Sequence, residues 1–321
     1  MQSFEALSAA FASRFQTQHF PAQPASLYEP ANYFLDIGGK RIRPVLCLMG
    51  NELFGDIDPD AWQVAASIEL FHNFTLIHDD IMDKAPLRRG KPTVHEKYGS
   101  STALLTGDVM MVVAYDYISK VQAHHIRPIM HIYNQTAREV CEGQQMDMDF
   151  EQMERVDFAE YQQMIGLKTS VLLAASLRIG AILGGAGLGN QQHLYDFGKN
   201  LGLAFQVQDD YLDAFGDPVK FGKQVGGDIV SDKKTFLLIK TLELATEAQH
   251  RQIRALRTAD ASAKVEGMLQ IFRDCGVDAW ARELKGQYME AAYQHLEDIA
   301  VLSRRKEPLR QLADFLVQLE Y

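Results

Sequence analysis

Residues 61–83 read AWQVAASIELFHNFTLIHDDIMD, a stretch without glycine or proline in which Ile68, Phe71 and Phe74 recur at helical spacing and which closes on three aspartates. The apolar stripe predicts a long amphipathic helix, and the acidic end predicts chemistry at its C-terminus. Comparable stretches cover about 101–120, 126–148, 158–180, 191–213, 234–247, 263–275, 277–302 and 307–320, and few segments alternate as a half-buried strand would. The expected fold is therefore all-α. Turn-forming residues gather at Gly38-Gly39, Ala85 to Gly99, Gly180 to Gly189 and Phe215 to Asp232, and none of these is a low-complexity linker. With no compositional shift and no solenoid period, the 321 residues are expected to form one domain, 1–321.

Composition excludes several classes. A hydrophobic fraction of 47% and a charged fraction of 23% are those of a soluble globule rather than a disordered chain. The formal net charge of −10 argues against nucleic acid as a partner, because such binding needs a cationic field. Cys47, Cys141 and Cys275 are odd in number and far apart, which predicts reduced thiols rather than a zinc or redox motif. Glu5 stands where a secretory signal carries basic residues, and no apolar run reaches the roughly 20 residues of a membrane span, so a cytoplasmic protein is expected.

The acidic end of the first helix is Asp79-Asp80-Ile81-Met82-Asp83, and the pattern returns as Asp209-Asp210-Tyr211-Leu212-Asp213. On a helix, positions i and i+4 share a face, so the first and last carboxylates of each cluster project together while the second is rotated by roughly 100°. Such carboxylates repel one another and also oppose the helix dipole at a C-terminus. A compensating cation resolves both, and hard oxygen ligands suit Mg²⁺ shared with a substrate phosphate. If the two helices face each other, the clusters form two walls of one cavity. Each is followed by a loop rich in glycine, lysine and arginine. Gly38-Gly39-Lys40-Arg41-Ile42-Arg43-Pro44 adds a third basic segment, in which the double glycine allows close backbone approach to an anion and Arg offers a phosphate-matched fork. His72 lies two turns before Asp79 on much the same face.

These residues resemble the trans-isoprenyl diphosphate synthases, or polyprenyl synthetases. The likeness runs co-linearly from about residue 36 to 235: the GGKRIRP segment, the first aspartate cluster, Arg88-Arg89-Gly90, Gly143-Gln144 with Asp147, Lys168-Thr169, and Phe205-Gln206-Val207-Gln208 leading into the second cluster. The resemblance implies a helical bundle of the isoprenoid synthase type around a central cavity, and a homodimer. It implies three Mg²⁺ ions, two held by Asp79 and Asp83 and one by Asp209. Arg88, Lys168, Lys223 and Lys233 would neutralise the allylic diphosphate. Lys40, Arg43, His72 and Arg89 would bind isopentenyl diphosphate without metal.

The implied reaction is ionisation of an allylic diphosphate (dimethylallyl, geranyl or farnesyl), attack by isopentenyl diphosphate, and proton loss to the released diphosphate. The Thr169 hydroxyl, the Gln206 amide and nearby helix carbonyls are the candidate dipoles for holding the allylic cation, with the catalytic Lys168 on the departing diphosphate. Phe74 lies five residues before Asp79, roughly 7.5 Å deeper along the helix, and Phe71 roughly 12 Å deeper. They could form, with Thr75, the floor that limits product length. The family pattern favours a twenty-carbon geranylgeranyl product over fifteen-carbon farnesyl diphosphate, because Thr75 is not aromatic and no extra residues interrupt the first cluster. A class I terpene cyclase or a head-to-head synthase is disfavoured by the second DDxxD and the Lys40 to Arg43 segment. A non-catalytic partner subunit would be expected to lack one cluster.

Overall fold

The computed structural model describes residues 1–216 and 226–318. Among these the chain is almost wholly helical, as expected; the single sheet is a hairpin pairing Leu87–Arg88 with Lys91–Pro92. By backbone contacts the chain divides into two compact units, one comprising 1–134, 175–194 and 301–308, the other 135–174, 195–300 and 309–321.

The first unit is built on α1 (Phe4–Phe15), α2 (Ala25–Asp36), α3 (Ile42–Glu52), α4 (Pro59–Met82), α5 (Val94–Tyr98) and α6 (Ser100–Ser119). The opening stretch of the sequence is α4. Asp58 caps it by accepting from Asp60 N at 2.8 Å, and Pro59 supplies the fixed φ that suits a first helical position. α4 packs most extensively on α6 and also on α3. Small residues set these approaches. A Cβ at Gly107 of α6 would overlap the His78 ring, and in the same unit a Cβ at Gly50 of α3 would overlap the carbonyl of Leu177. His78 Nε2 donates to Leu104 O at 3.0 Å, so this histidine serves the α4–α6 crossing.

The second unit contains the C-terminal part of α7 (Ala123–Gln152), then α8 (Phe158–Ile165), a π-helical turn (Gly166–Ser170), the first residues of α9 (Val171–Leu183) and most of α10 (Leu188–Phe215). It continues through α11 (Gly227–Val230), α12 (Phe236–Leu244), α13 (Glu247–Leu256), α14 (Ala261–Asp274) and α15 (Val277–Asp298) to the end of α16 (Ser303–Gln318). Asp157 with Glu160 and Thr246 with Gln249 form capping boxes at the starts of α8 and α13.

Two sequence expectations need correction. The helices α1, α2, α3 and α13 lie outside the predicted stretches, and the short α5 and α11 fall in segments expected to be turns. In addition, Phe158–Leu183 is a run of 26 helical residues whose most apolar 18-residue window has a mean hydropathy of 1.5, long and apolar enough by composition to span a membrane. The predicted stretch 158–180 already covers most of this helix, and Lys168-Thr169-Ser170 breaks its apolar run without breaking the helix. Within that helix, 72% of the most apolar window is buried in the protein, as in a core helix. The three cysteines form no disulfide, as predicted, and burial pushes the Cys47 thiol up to about 12.

Candidate functional site

In the first unit, α4 ends on the aspartate cluster, and the hairpin that follows turns through Arg89 and Gly90, both with positive φ (51° and 75°). That is the conformation of a two-residue type I′ turn, whose twist matches paired strands. The turn returns Arg88 to the helix end. Its Nε and NH2 donate to the Asp80 carboxylate at 2.8–3.0 Å, a two-pronged grip on a side chain that is 2% exposed. The three carboxylates thus have unequal settings. Asp80 anchors the hairpin, Asp79 is half-buried, and Asp83 is exposed at the helix end. The rotation expected for Asp80 explains why it, rather than its neighbours, meets Arg88.

The GGKRIRP segment lies beside the hairpin. A Cβ at Gly39 would come within 2.9 Å of the Arg89 guanidinium, so the absent side chain admits Arg89. Gly38, at φ +81°, makes the left-handed bend into this segment. Arg41 is paired with buried Glu69, which also accepts from Asn73 Nδ2 at 2.8 Å. Arg43 NH1 donates to His72 Nε2 at 3.0 Å. Burial, together with Arg43, Arg89, Arg88 and Arg41, holds His72 well below its ordinary value, so its ring is neutral and Nε2 offers a lone pair. Burial also lowers Arg43 to about 10, with Glu69 opposing and Arg89 assisting; the guanidinium remains charged at neutral pH. Its buried Nε has no hydrogen-bond partner among the described residues. Lys40 is exposed at the edge of the group. The structure therefore gathers Arg41, Arg43, Arg88 and Arg89 around one neutral imidazole, a concentration of positive charge that suits an anion.

Beneath the cluster, Phe71 and Phe74 meet edge to face at 5.0 Å, and both are buried. Thr75 donates to His72 O at 2.8 Å. Tyr133 of α7, not anticipated from the sequence, packs against Phe71 at 5.3 Å and accepts a hydrogen bond from Ser67.

Another acidic group was also not anticipated. Asp58, Asp60 and His125 bring one ligand atom each within 4.8 Å of one another and could hold a metal ion. This group lies at the start of α4, about 30 Å along the helix from Asp79. Asp60 Oδ2 already accepts from His125 Nδ1 at 2.8 Å and from Gln122 N at 2.9 Å, which ties the start of α4 to that of α7.

In the second unit, Asp210 is buried and accepts from Tyr161 Oη at 3.0 Å, Gln206 Nε2 at 2.8 Å and Phe236 N at 3.4 Å. Burial raises it to about 7, and repulsion from Asp228 adds to this, while Gln206 and Lys233 oppose. Asp213 is raised by the same first two causes, and its Oδ2 accepts from Asp228 N at 2.9 Å. Asp209 is half-buried. The carboxylates of this region oppose one another's ionisation, so the donor set suits a hard divalent cation.

Lys168 sits in the π-helical turn and reaches Asp147 at 2.5 Å, with Thr169 beside it, half-buried. Such turns often mark functional positions in helices. A Cβ at Gly143 would overlap the Lys168 backbone, and one at Gly202 would lie 2.7 Å from Ser170 Cα, so both neighbouring helices fit around the turn only through glycine. Lys233 is exposed, 4.0 Å from Asp228. Lys223 lies outside the described residues. Sequence reasoning also missed Tyr161 and Lys285, which donates to Gln208 Oε1 at 2.8 Å.

Comparison with known proteins gives one consistent answer. Residues 24–274 match the polyprenyl synthetase family model. A geranylgeranyl diphosphate synthase of Methanosarcina mazei is 36% identical over 93% of this chain and 91% of its own. A geranylfarnesyl diphosphate synthase of Natronomonas pharaonis is 35% identical over 95% and 94%. Among solved structures, a geranylgeranyl pyrophosphate synthase superposes with a TM-score of 0.94 at 40% identity, covering 99% of both chains.

Proposed function

The chain belongs to the polyprenyl synthetase family and is a prenyltransferase, and from that premise we propose that it condenses isopentenyl diphosphate head-to-tail with an allylic diphosphate, releasing diphosphate. The observation that carries this reading is the two-pronged pairing of Arg88 with Asp80, which fixes the end of α4 and its aspartate cluster beside the arginines gathered around His72. Asp79 and Asp83 would hold two Mg²⁺ ions and Asp209 a third. Bound Mg²⁺ would supply Lewis-acid stabilisation of the departing diphosphate.

The protein's own groups do the rest. Arg88, Lys168, Lys223 and Lys233 neutralise the allylic diphosphate. Arg43, Arg89 and Lys40 hold isopentenyl diphosphate, and neutral His72 orients the Arg43 guanidinium through its Nε2 lone pair. The allylic C–O bond breaks with its electron pair leaving on diphosphate. The isopentenyl double bond then forms the new C–C bond, and diphosphate takes the proton from the resulting cation. Thr169 and Gln206 present their dipoles to the allylic cation.

Phe74, Phe71 and Thr75 are read as the floor that stops growth, with geranylgeranyl diphosphate favoured; the names of similar proteins include both twenty- and twenty-five-carbon synthases. The whole chain acts as one polyprenyl synthetase domain in the cytoplasm. Exposed Leu104, Leu105 and Val112, on one side of α6, support a homodimer through that helix. Incubation with Mg²⁺, isopentenyl diphosphate and each of dimethylallyl, geranyl and farnesyl diphosphate, followed by measurement of product length, tests the reading. A single twenty-carbon product is expected; failure to extend any starter would overturn it.

A further inference from the structure

The region after about residue 240, which contributes no residue to either aspartate cluster or to the basic segments, contains a lysine that is almost completely buried. Lys264, on the first turn of α14, is 6% exposed. Its ammonium donates to Val230 O at 3.0 Å and pairs with Asp232 at 2.8 Å. Burying a lysine is unfavourable unless its charge is paired and its protons are placed, so the arrangement calls for a reason. Asp232 holds a left-handed backbone conformation, φ +54°, at the bend between α11 and α12. Lys264 therefore clamps that bend through both a main-chain carbonyl and a side chain. The next residue, Val265, grips the other end of α11: a Cβ at Gly226 would lie 2.7 Å from Val265 Cγ2.

The clamped segment is also fastened to the second aspartate cluster, and at both ends. Gly226 N donates to Asp213 O at 2.6 Å and Asp228 N to Asp213 Oδ2 at 2.9 Å. At the far end Phe236 N donates to Asp210 Oδ2. Between these, Lys233 N donates to Asp228 O at 3.0 Å, which places the Lys233 side chain beside the Asp228 carboxylate. Asp228, Asp232, Lys233 and Lys264 line one pocket.

We propose that Lys264 is a positioning residue for prenyl transfer: by holding the 226–236 segment through Val230 and Asp232, it fixes the carboxylates of the second aspartate cluster and Lys233 in the geometry that binds a metal–diphosphate group. The inference rests on the function proposed above and adds a residue that lies on neither cluster. It also explains why α14 carries a lysine on a face that otherwise buries Met268, Ile271 and Phe272. A hydrocarbon side chain there would pack, but it would leave the bend without its clamp.

The test uses the full-length protein with Lys264→Met, Lys264→Arg, Asp232→Asn and the Met/Asn double variant. Asp232 is largely exposed, and asparagine tolerates the left-handed conformation, so Asp232→Asn keeps the fold even if Lys264→Met does not. Mn²⁺ binding in the presence of inorganic diphosphate is followed by electron paramagnetic resonance. Lys264→Met and Asp232→Asn should each weaken one Mn²⁺ by about tenfold, the size of effect seen when a group supporting a metal ligand is removed. The double variant should be no worse than the weaker single one, because both remove the same contact. Lys264→Arg should recover most of the binding. In turnover, kcat should fall while KM for isopentenyl diphosphate stays within about twofold. Unchanged Mn²⁺ binding in a folded variant overturns the proposal. So does a parallel loss of Mn²⁺ and isopentenyl diphosphate affinity, which is the mark of a general loss of structure. Failure of the unaltered protein to extend any allylic diphosphate would instead defeat the proposed function, and is read separately.

Discussion

The two aspartate clusters have the same spacing in sequence and opposite electrostatics in the fold. In the first, the middle carboxylate, Asp80, is neutralised by a guanidinium that grips it from the hairpin. In the second, the middle carboxylate, Asp210, is held by a phenol, an amide and a backbone N–H, all formally neutral, and is pushed up to about 7 by burial and by Asp228. The first cluster meets its cationic partners directly. The second sets Asp228 against Asp210 and Asp213, with Lys233 standing 4.0 Å from Asp228. One motif therefore codes for two different jobs, because the loops that follow it differ: a tight hairpin returns Arg88 to α4, whereas α11 brings another carboxylate to α10.

The largest effect should come from Asp79→Ala, which removes a carboxylate from the first cluster without touching the Asp80–Arg88 grip. A loss of about 10³-fold in kcat is expected, equivalent to about 4 kcal/mol of transition-state stabilisation, with circular dichroism and melting unchanged. A rate within tenfold of wild type would remove the first cluster from the chemistry.

Next come the middle residues, where the contrast is sharpest. Asp80→Asn leaves Arg88 facing a neutral amide in a buried setting and should destabilise the protein by about 3 kcal/mol, as breaking a buried ion pair does. Asp210→Asn keeps an acceptor oxygen for Tyr161 and removes a carboxylate that its neighbours disfavour. A change below about 1 kcal/mol is expected, in line with one neutral hydrogen bond. Urea unfolding of both variants measures the difference, and equal destabilisation would erase the distinction.

Phe74→Ala concerns the first cluster alone, since its helix carries the aromatic pair Phe71 and Phe74. The product should lengthen by one or more five-carbon units, as chromatography of the dephosphorylated alcohols would show. Unchanged chain length would leave Phe74 as core and nothing more. The smallest effect concerns the thiols. Cys141 is exposed and should react with a maleimide in the native state, whereas buried Cys47, raised to about 12, should react only on unfolding.

Much of this was legible in the sequence because it is local. The stripe of Ile68, Phe71 and Phe74 marks α4 through helical periodicity alone, and the i, i+4 aspartates follow from the same geometry. Thr246 and Gln249 carry the T-x-x-Q pattern of a capping box, a local signal of α13 that the reading of apolar periodicity passed over. What could not be read depends on partners far apart in the chain. Tyr161 is 49 residues from Asp210, Glu69 is 28 from Arg41, and Lys264 is 34 from Val230. In each pair the chain must already be folded for the contact to exist, and neither residue alone differs from an ordinary core or surface residue. The Asp80–Arg88 grip is an intermediate case. Only eight residues separate the pair, but their meeting depends on Arg89 taking positive φ, which is uncommon outside glycine.

The unequal roles of the two clusters can be measured directly by counting bound Mn²⁺ per chain at saturating inorganic diphosphate for the unaltered protein, the Asp79→Ala/Asp83→Ala double variant and Asp209→Ala. Three ions are expected for the unaltered protein, one when the first cluster is removed, and two when Asp209 is removed. Equal losses from the two clusters, or a full count in either variant, would contradict the account.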